Sequence, residues 1–298
     1  MDEKKDISET KKDYSLPVSI VFASILIFAG FIYSTGSGSV TDKNAVTKKT
    51  DTKDNVIVSA TSEILWGDIG ARMIEAGVID NKKLTELYAT RGGISDSDAQ
   101  LLGSDKDKKL IIDKNNAGFA LNLLWALGLG NKSPILEQGP MTDSRYGDPG
   151  QFASTGGWSL ANGGTMNHYG KHSFISLTKE QWDMVERVSK NIYRPCCNNA
   201  TYFPDCNHGM AMLGLLELVA SRGVTEDQMY TVALQANALW FPNEYFVINK
   251  YLQSQDASLT TADPKEILGN NYSSASGYSR ISTLVPKEQN SGGGSCGA

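Results

Sequence analysis

Three of the four cysteines lie close together in the chain, next to a histidine. Cys196, Cys197 and Cys206 fall within eleven residues and His208 follows, which gives the spacing Cys-Cys-x8-Cys-x-His. Thiolates and neutral imidazoles are the ligands that soft and borderline ions such as copper(I), zinc(II) or mercury(II) prefer. We therefore predict a transition-metal site in residues 194–209 (RPCCNNATYFPDCNHG), here called the cysteine segment, with copper favoured and zinc possible.

Two other interpretations of the cysteine segment stay open. Cysteines outside the cytoplasm commonly pair, so Cys206 could bond to Cys196 or Cys197, whereas two adjacent cysteines rarely bond because the peptide between them is strained. The protein would then be a disulfide-stapled helical interaction module that binds another envelope protein. Alternatively, the thiols could belong to a thiol-dependent enzyme, acting in disulfide exchange or as a metal-dependent lyase or reductase.

The fourth cysteine, Cys296, lies in the C-terminal sequence SGGGSCGA, where packing offers no reason for a cysteine. A thiol on a flexible arm can carry an ion to or from a fixed site at a high effective concentration. We predict that Cys296 is a mobile thiol for metal transfer, the alternative being an incidental terminus.

Other residues give weaker signals. His168 and His172 are four residues apart and would share a helix face, but Gly170 between them favours a loop and a loop-stabilising role. Glu217 is the only charge in an apolar run, MAMLGLLELVA, so it must be paired, hydrated or protonated. It could lie at a rim, pair with an arginine or orient His208.

Composition and the remaining motifs exclude some functions. The formal net charge is −5, which provides no basic footprint for nucleic acid. The sequence contains no G-x-S-x-G, Walker, H-E-x-x-H or C-x-x-C-H motif.

The N-terminus predicts a membrane anchor. No charged residue lies between Asp13 and Asp42, and the apolar run 16–33 would span roughly 27 Å as a helix, close to a bilayer core. A cleaved signal peptide is the alternative, but no A-x-A site follows the run. We predict a single-pass anchor at residues 14–34 and a cytoplasmic tail at 1–13, with the rest of the chain extracytoplasmic, although lysines flank both ends of the run.

Beyond the anchor, the pattern predicts an all-α protein. Residues 35–58 have the composition of a flexible stalk, and residues 59–255 predict an irregular domain of about seven helices. A long Gly-rich loop region interrupts it at residues 128–177, and no strand matches the period-two pattern. Residues 256–298 are polar and Gly/Ser-rich, which predicts a flexible tail.

Individual helices in this domain follow from capping and periodicity. Thr178 and Thr225 are suited to cap helices that carry acidic residues in their first turns. The runs 113–127 and 210–220 are apolar almost all round, so we expect them at the centre of the domain. The first helix is expected from Thr61 or Ser62 to Ala76.

Overall fold

The structure, a computed structural model, describes residues 58–286. The predicted anchor, almost all of the predicted stalk and Cys296 lie outside the described residues. Among residues 58–286, no helix combines the length and the apolar character needed to cross a bilayer.

The described residues are mostly helical, as predicted for the soluble domain. The helices are α1 (Ile69–Glu75), α2 (Asn81–Ala89), α3 (Asp96–Ala99), α4 (Ala117–Gly130), α5 (Pro134–Gln138), α6 (Ala153–Gly156), α7 (Lys179–Ser189), α8 (Asn207–Ala220), α9 (Glu226–Trp240), α10 (Pro242–Gln253), α11 (Pro264–Ile267), α12 (Asn270–Ser273) and α13 (Ala275–Leu284). Between α4 and α7, where the sequence predicts a long loop region, the regular structure consists of two short helices and several 3-10 turns.

The start of the domain differs from the prediction. The first helix begins only at Ile69, because the preceding residues form a short strand, β1 (Ile64–Leu65). β1 pairs in antiparallel register with β2 (Lys109–Leu110). Gly67, with φ of +66°, then turns the chain towards the helix. Strands of two residues are too short to show a period-two pattern, which is why the sequence did not predict them.

Helix capping agrees with the sequence. The Thr178 hydroxyl accepts from the Gln181 N–H at the start of α7, and the Gln181 side chain accepts from the Thr178 N–H. Thr225 and Gln228 make the same reciprocal pair at the start of α9. Both are capping boxes, which satisfy backbone donors that a helix start would otherwise leave unpaired.

Helices α4 and α8 form the central helix pair. Nearly every side chain of both helices is buried, which confirms that the two apolar runs are central. Their backbones touch at Gly128 and Gly214: a Cβ on Gly128 would collide with the Met210 carbonyl, and a Cβ on Gly214 with the Leu124 carbonyl. Such close contact is possible only where neither residue has a side chain.

The predicted C-terminal tail is corrected for residues 256–286. This stretch contains α11, α12 and α13, with Asp263 and Ser274 accepting backbone hydrogen bonds as N-caps. Ile267, Leu268 and Ile281 are buried in the common core. Three apolar side chains at irregular spacing anchor these helices, whereas the polar composition around them had suggested a tail.

Candidate metal centre

The cysteine segment connects α7 to α8 and is held by other parts of the fold. The carbonyl of Cys197 accepts from the Ala275 N–H at 2.9 Å, at the start of α13. The side-chain oxygen of Asn198 accepts from the Ser276 N–H, also at 2.9 Å. On the other side, the Asp205 carbonyl accepts from the Ser154 N–H of α6 at 3.1 Å. The loop is therefore fixed by elements far from it in sequence.

The fold brings the three clustered cysteines together. Their sulfur atoms lie within 4.8 Å of one another, and those of Cys196 and Cys206 are 3.8 Å apart. A disulfide requires about 2.05 Å, so the thiols are free. Sulfurs bound to one tetrahedral ion at about 2.3 Å lie about 3.8 Å from each other. The Cys196–Cys206 separation thus equals that of two ligands of one ion, and the three sulfurs are close enough that they could hold a metal ion.

A buried arginine organises this cluster. The Arg194 side chain is fully buried, and its Nε donates to the Cys206 sulfur at 3.0 Å. Its two terminal nitrogens donate to the carbonyl of Asn199 at 3.0 Å and to the carboxylate of Asp205 at 2.9 Å. The Asn199 amide completes the ring by donating to the other oxygen of Asp205 at 2.8 Å. A buried charge is tolerated when it is paired in this way.

Cys206 is also the N-cap of α8. Its sulfur accepts from the Gly209 N–H at 3.4 Å, where the helix dipole favours negative charge. A side chain at Gly209 would collide with the Arg194 guanidinium, so this glycine leaves the space that the arginine occupies. The Arg194 guanidinium and the N-terminus of α8 thus both place positive potential at the Cys206 sulfur.

The ionisation of the cluster follows from these contacts. Hydrogen bonds from the thiols of Cys196 and Cys197, together with the charge and Nε–H of Arg194, hold the pKa of Cys206 well below its ordinary value despite burial. The pKa of Cys196 is raised by its hydrogen bonds to the other two cysteines and by burial. Burial opposes the charge of Arg194, but the neighbouring cysteines raise the pKa of that guanidinium. Among the three cysteines, Cys206 is therefore the one whose thiolate form these contacts favour most.

His208, the fourth predicted ligand of the segment, does not belong to the three-sulfur group. Its ring packs on Phe241 with 4.4 Å between centroids, and on Trp240 at 6.2 Å. Burial lowers its pKa to about 4, opposed by the nearby Cys206, so the ring is neutral at neutral pH. A neutral imidazole retains a lone pair that can bind a metal.

His168 and His172 form a separate pair. His168 Nε2 is 2.9 Å from the Asn162 carbonyl, which can only accept, so that nitrogen carries the proton. His168 Nδ1 then accepts from His172 Nε2 at 3.1 Å when both rings are neutral. The backbone of His172 also bonds to the end of α4 at Gly130. The pair ties a loop to the central helices, as the glycines around it predict.

Glu217 is fully buried in α8, rather than at a rim or beside an arginine. Asn131 donates to its Oε2 at 2.9 Å, while Glu217 Oε1 and the nearby Ser133 Oγ have no hydrogen-bond partner among the described residues. Burial raises the pKa of Glu217 to about 8, opposed by the hydrogen bond from Asn131. The carboxyl group is therefore protonated at neutral pH. Of the paired, hydrated and protonated states that the sequence left open, the structure favours the protonated one.

Sequence reasoning did not identify Arg194, Asn199 or Gly209 as parts of the site. Arg194 is adjacent to Pro195 and the two cysteines, but nothing in its local sequence indicates that it is buried. The only available signal was that a cationic residue adjoins a cluster of potential thiolates.

Comparison of the chain with protein-family models, with curated proteins and with solved structures found no match.

Proposed function

We propose that this protein binds a soft transition-metal ion through Cys196, Cys197 and Cys206 and passes it to another molecule. The observation that carries the proposal is the mutual spacing of the three sulfurs, with 3.8 Å between Cys196 and Cys206. Copper(I) is favoured over zinc, since soft thiolates select copper(I), and structural zinc sites almost always use four ligands. The pre-formed thiolate of Cys206 would be the first to bind, and the two thiols would release protons as they join it.

Arg194 supports this proposal by its charge. Three thiolates carry a charge of −3, which a divalent ion or copper(I) alone leaves uncompensated in a half-buried site. The guanidinium supplies one positive charge and a hydrogen bond that orients the Cys206 sulfur. Partners of this kind orient ligands and tune a site.

Cys296 is proposed as the thiol that delivers or collects the ion. Helix α13 begins against the cysteine segment and has 10 residues, about 15 Å of helix. From Pro286 to Cys296 the chain has ten further residues, which can extend at most about 35 Å. The covalent chain therefore permits Cys296 to reach the cluster. The predicted anchor at residues 14–34 would hold the protein at the membrane with this site outside the cytoplasm, where an envelope protein would exchange the ion.

The test is anaerobic titration of the reduced protein with copper(I), zinc(II) or mercury(II), with X-ray absorption to identify the ligand shell. We expect one ion per chain in a sulfur shell, and Cys206→Ser should abolish tight binding. Cys196→Ser, at an exposed position, should weaken binding without affecting the fold. A protein that takes up no ion under these conditions would overturn the proposal.

Two matched variants separate the roles of the remaining predicted ligands. Cys296→Ser should leave the equilibrium metal content unchanged and slow the transfer to a chelator in stopped-flow measurements. His208→Ala should remove a nitrogen neighbour from the X-ray absorption spectrum if the imidazole turns away from Phe241 to bind the ion. An unchanged spectrum would show that His208 serves only the packing of α8.

A further inference from the structure

The three cysteines of the cluster differ in what surrounds them. Cys206 accepts hydrogen bonds from Arg194 Nε at 3.0 Å and from the Gly209 N–H at 3.4 Å. Cys196 is exposed, and its sulfur lies 3.8 Å from that of Cys206. The sulfur of Cys197 lies within 4.8 Å of the other two and also contacts the Asn199 carbonyl at 3.8 Å. The arrangement places a sulfur that accepts two N–H hydrogen bonds 3.8 Å from the sulfur of an exposed cysteine.

We propose that this cluster is also an oxidation-sensitive switch, in which a hydroperoxide drives formation of a Cys196–Cys206 disulfide and so releases the bound ion. The release rests on the proposed function, whereas the disulfide chemistry rests only on the three thiols and Arg194. Redox-sensing cysteines are typically thiolates with access to solvent and a second cysteine within reach.

The reaction takes place in two balanced steps. The Cys206 thiolate attacks one oxygen of hydrogen peroxide, the O–O bond breaks, and Cys206 sulfenic acid and hydroxide form. The Cys196 sulfur then attacks the Cys206 sulfur, an S–S bond forms, and the sulfenic oxygen leaves as water with the proton of the Cys196 thiol. Two thiol groups are oxidised and one peroxide is reduced. Hydrogen peroxide is the expected oxidant class because Cys206 is partly buried, which favours a small reagent.

Cys196, rather than Cys197, is the resolving residue. Cys196 is exposed and its sulfur lies 3.8 Å from that of Cys206, whereas Cys197 is partly buried and its sulfur also contacts the Asn199 carbonyl at 3.8 Å. Closing the 3.8 Å gap to a disulfide bond of about 2.05 Å requires a side-chain movement at an exposed residue. The disulfide removes two of the three sulfurs from the ligand set, and Cys197 alone cannot retain the ion.

The first experiment uses the metal-free protein in a Cys296→Ser background, so that the C-terminal thiol cannot form disulfides of its own. Treatment with stoichiometric hydrogen peroxide should form one intramolecular disulfide, detected by intact mass and by loss of two titratable thiols. Cys197→Ser should form it equally well. Cys196→Ser should lose it and instead accumulate a Cys206 sulfenic acid that dimedone traps.

Formation of the disulfide in Cys196→Ser, or its loss in Cys197→Ser, would overturn the assignment of Cys196. Circular dichroism of each reduced variant checks the fold, which the exposed Cys196 position should leave intact. Dithiothreitol should restore both thiols, which distinguishes a disulfide from over-oxidation to sulfinic acid.

The second experiment uses the protein loaded with copper(I) or zinc(II), in the presence of a chromogenic chelator. Peroxide should release the ion as the disulfide forms, and catalase added beforehand should prevent release. A loaded protein that keeps its ion and thiols under peroxide overturns the switch while leaving the metal function intact. A protein that forms the disulfide but never binds metal overturns the proposed function, and with it the release step.

Discussion

The central helix pair and the cysteine segment lie next to each other and are held by opposite kinds of interaction. Helices α4 and α8 are apolar on all sides and touch through Gly128 and Gly214, so that burial and close packing hold them. The cysteine segment has little regular structure, and the donors of one buried arginine hold it instead.

This difference matters for function. The helices α4 and α8 resist displacement relative to each other, because their backbones are in contact and leave no space between them. The position of the Cys206 sulfur depends instead on a few hydrogen bonds, from Arg194 and from the Gly209 N–H. The cysteine cluster therefore adjoins the start of a closely packed helix, α8, and polar contacts orient its Cys206 sulfur.

The largest loss of stability is expected from Arg194→Met. Removal of one member of a buried ion pair leaves the other without a partner, and such changes cost about 3–5 kcal/mol. Urea unfolding of the reduced, metal-free protein measures the change. The matched control is Arg145→Met, whose ion pair with Asp143 is exposed, and which should leave stability nearly unchanged. Equal effects of the two substitutions would show that Arg194 does not organise the loop.

Packing in the central pair is tested by Leu215→Ala. Leu215 is fully buried in α8, and truncation of such a leucine costs about 2–5 kcal/mol through lost burial and the cavity left behind. Thermal or urea unfolding would measure it. Leu284→Ala, at a position that is 61% exposed, should change stability by no more than about 0.5 kcal/mol. A loss below about 1 kcal/mol at Leu215 would contradict its place in the core.

The buried carboxyl group of Glu217 in α8 should make the stability of the folded protein depend on pH. Its pKa is about 8 in the folded protein against an ordinary 4.5, so between these values the unfolded chain releases a proton that the folded protein keeps. Stability should therefore fall as pH rises from about 4.5 to 8, by up to about 1.4 kcal/mol per pH unit. Glu217→Gln should remove this slope in urea unfolding, whereas Glu75→Gln, at an exposed position, should retain it. A slope that persists in Glu217→Gln would assign it to another group.

Glycine-to-alanine substitutions in the central helix pair are expected to have the smallest effects, of opposite sign at Gly214 in α8 and Gly118 in α4. Gly214→Ala places a methyl group against the Leu124 carbonyl and should cost about 1–3 kcal/mol. Gly118→Ala, near the start of α4 with no atom within 4 Å of the added carbon, should stabilise by up to about 1 kcal/mol. Differential scanning calorimetry would show whether the two melting temperatures shift in opposite directions. A stabilising Gly214→Ala would mean that the helices are further apart than described.

Much of the helical framework was predictable from the sequence. Thr178 and Thr225 cap the predicted helices because capping depends on residues only three positions apart. The two apolar runs were predicted to be central because a helix without a polar face must be covered on all sides. The clustering of Cys196, Cys197 and Cys206 was predicted because a short segment that joins two helices can fold back on itself.

Only the tertiary structure decided the chemistry of that cluster. The charge state of Cys206 depends on Arg194 and the start of α8, and the position of the loop depends on Ser154, Ala275 and Ser276, which are distant in sequence. The fold also buried Glu217 beside Asn131 and paired His168 with His172. Local sequence specifies which groups can ionise, but burial and the nearest charges determine which of them do, and those are set by contacts across the fold.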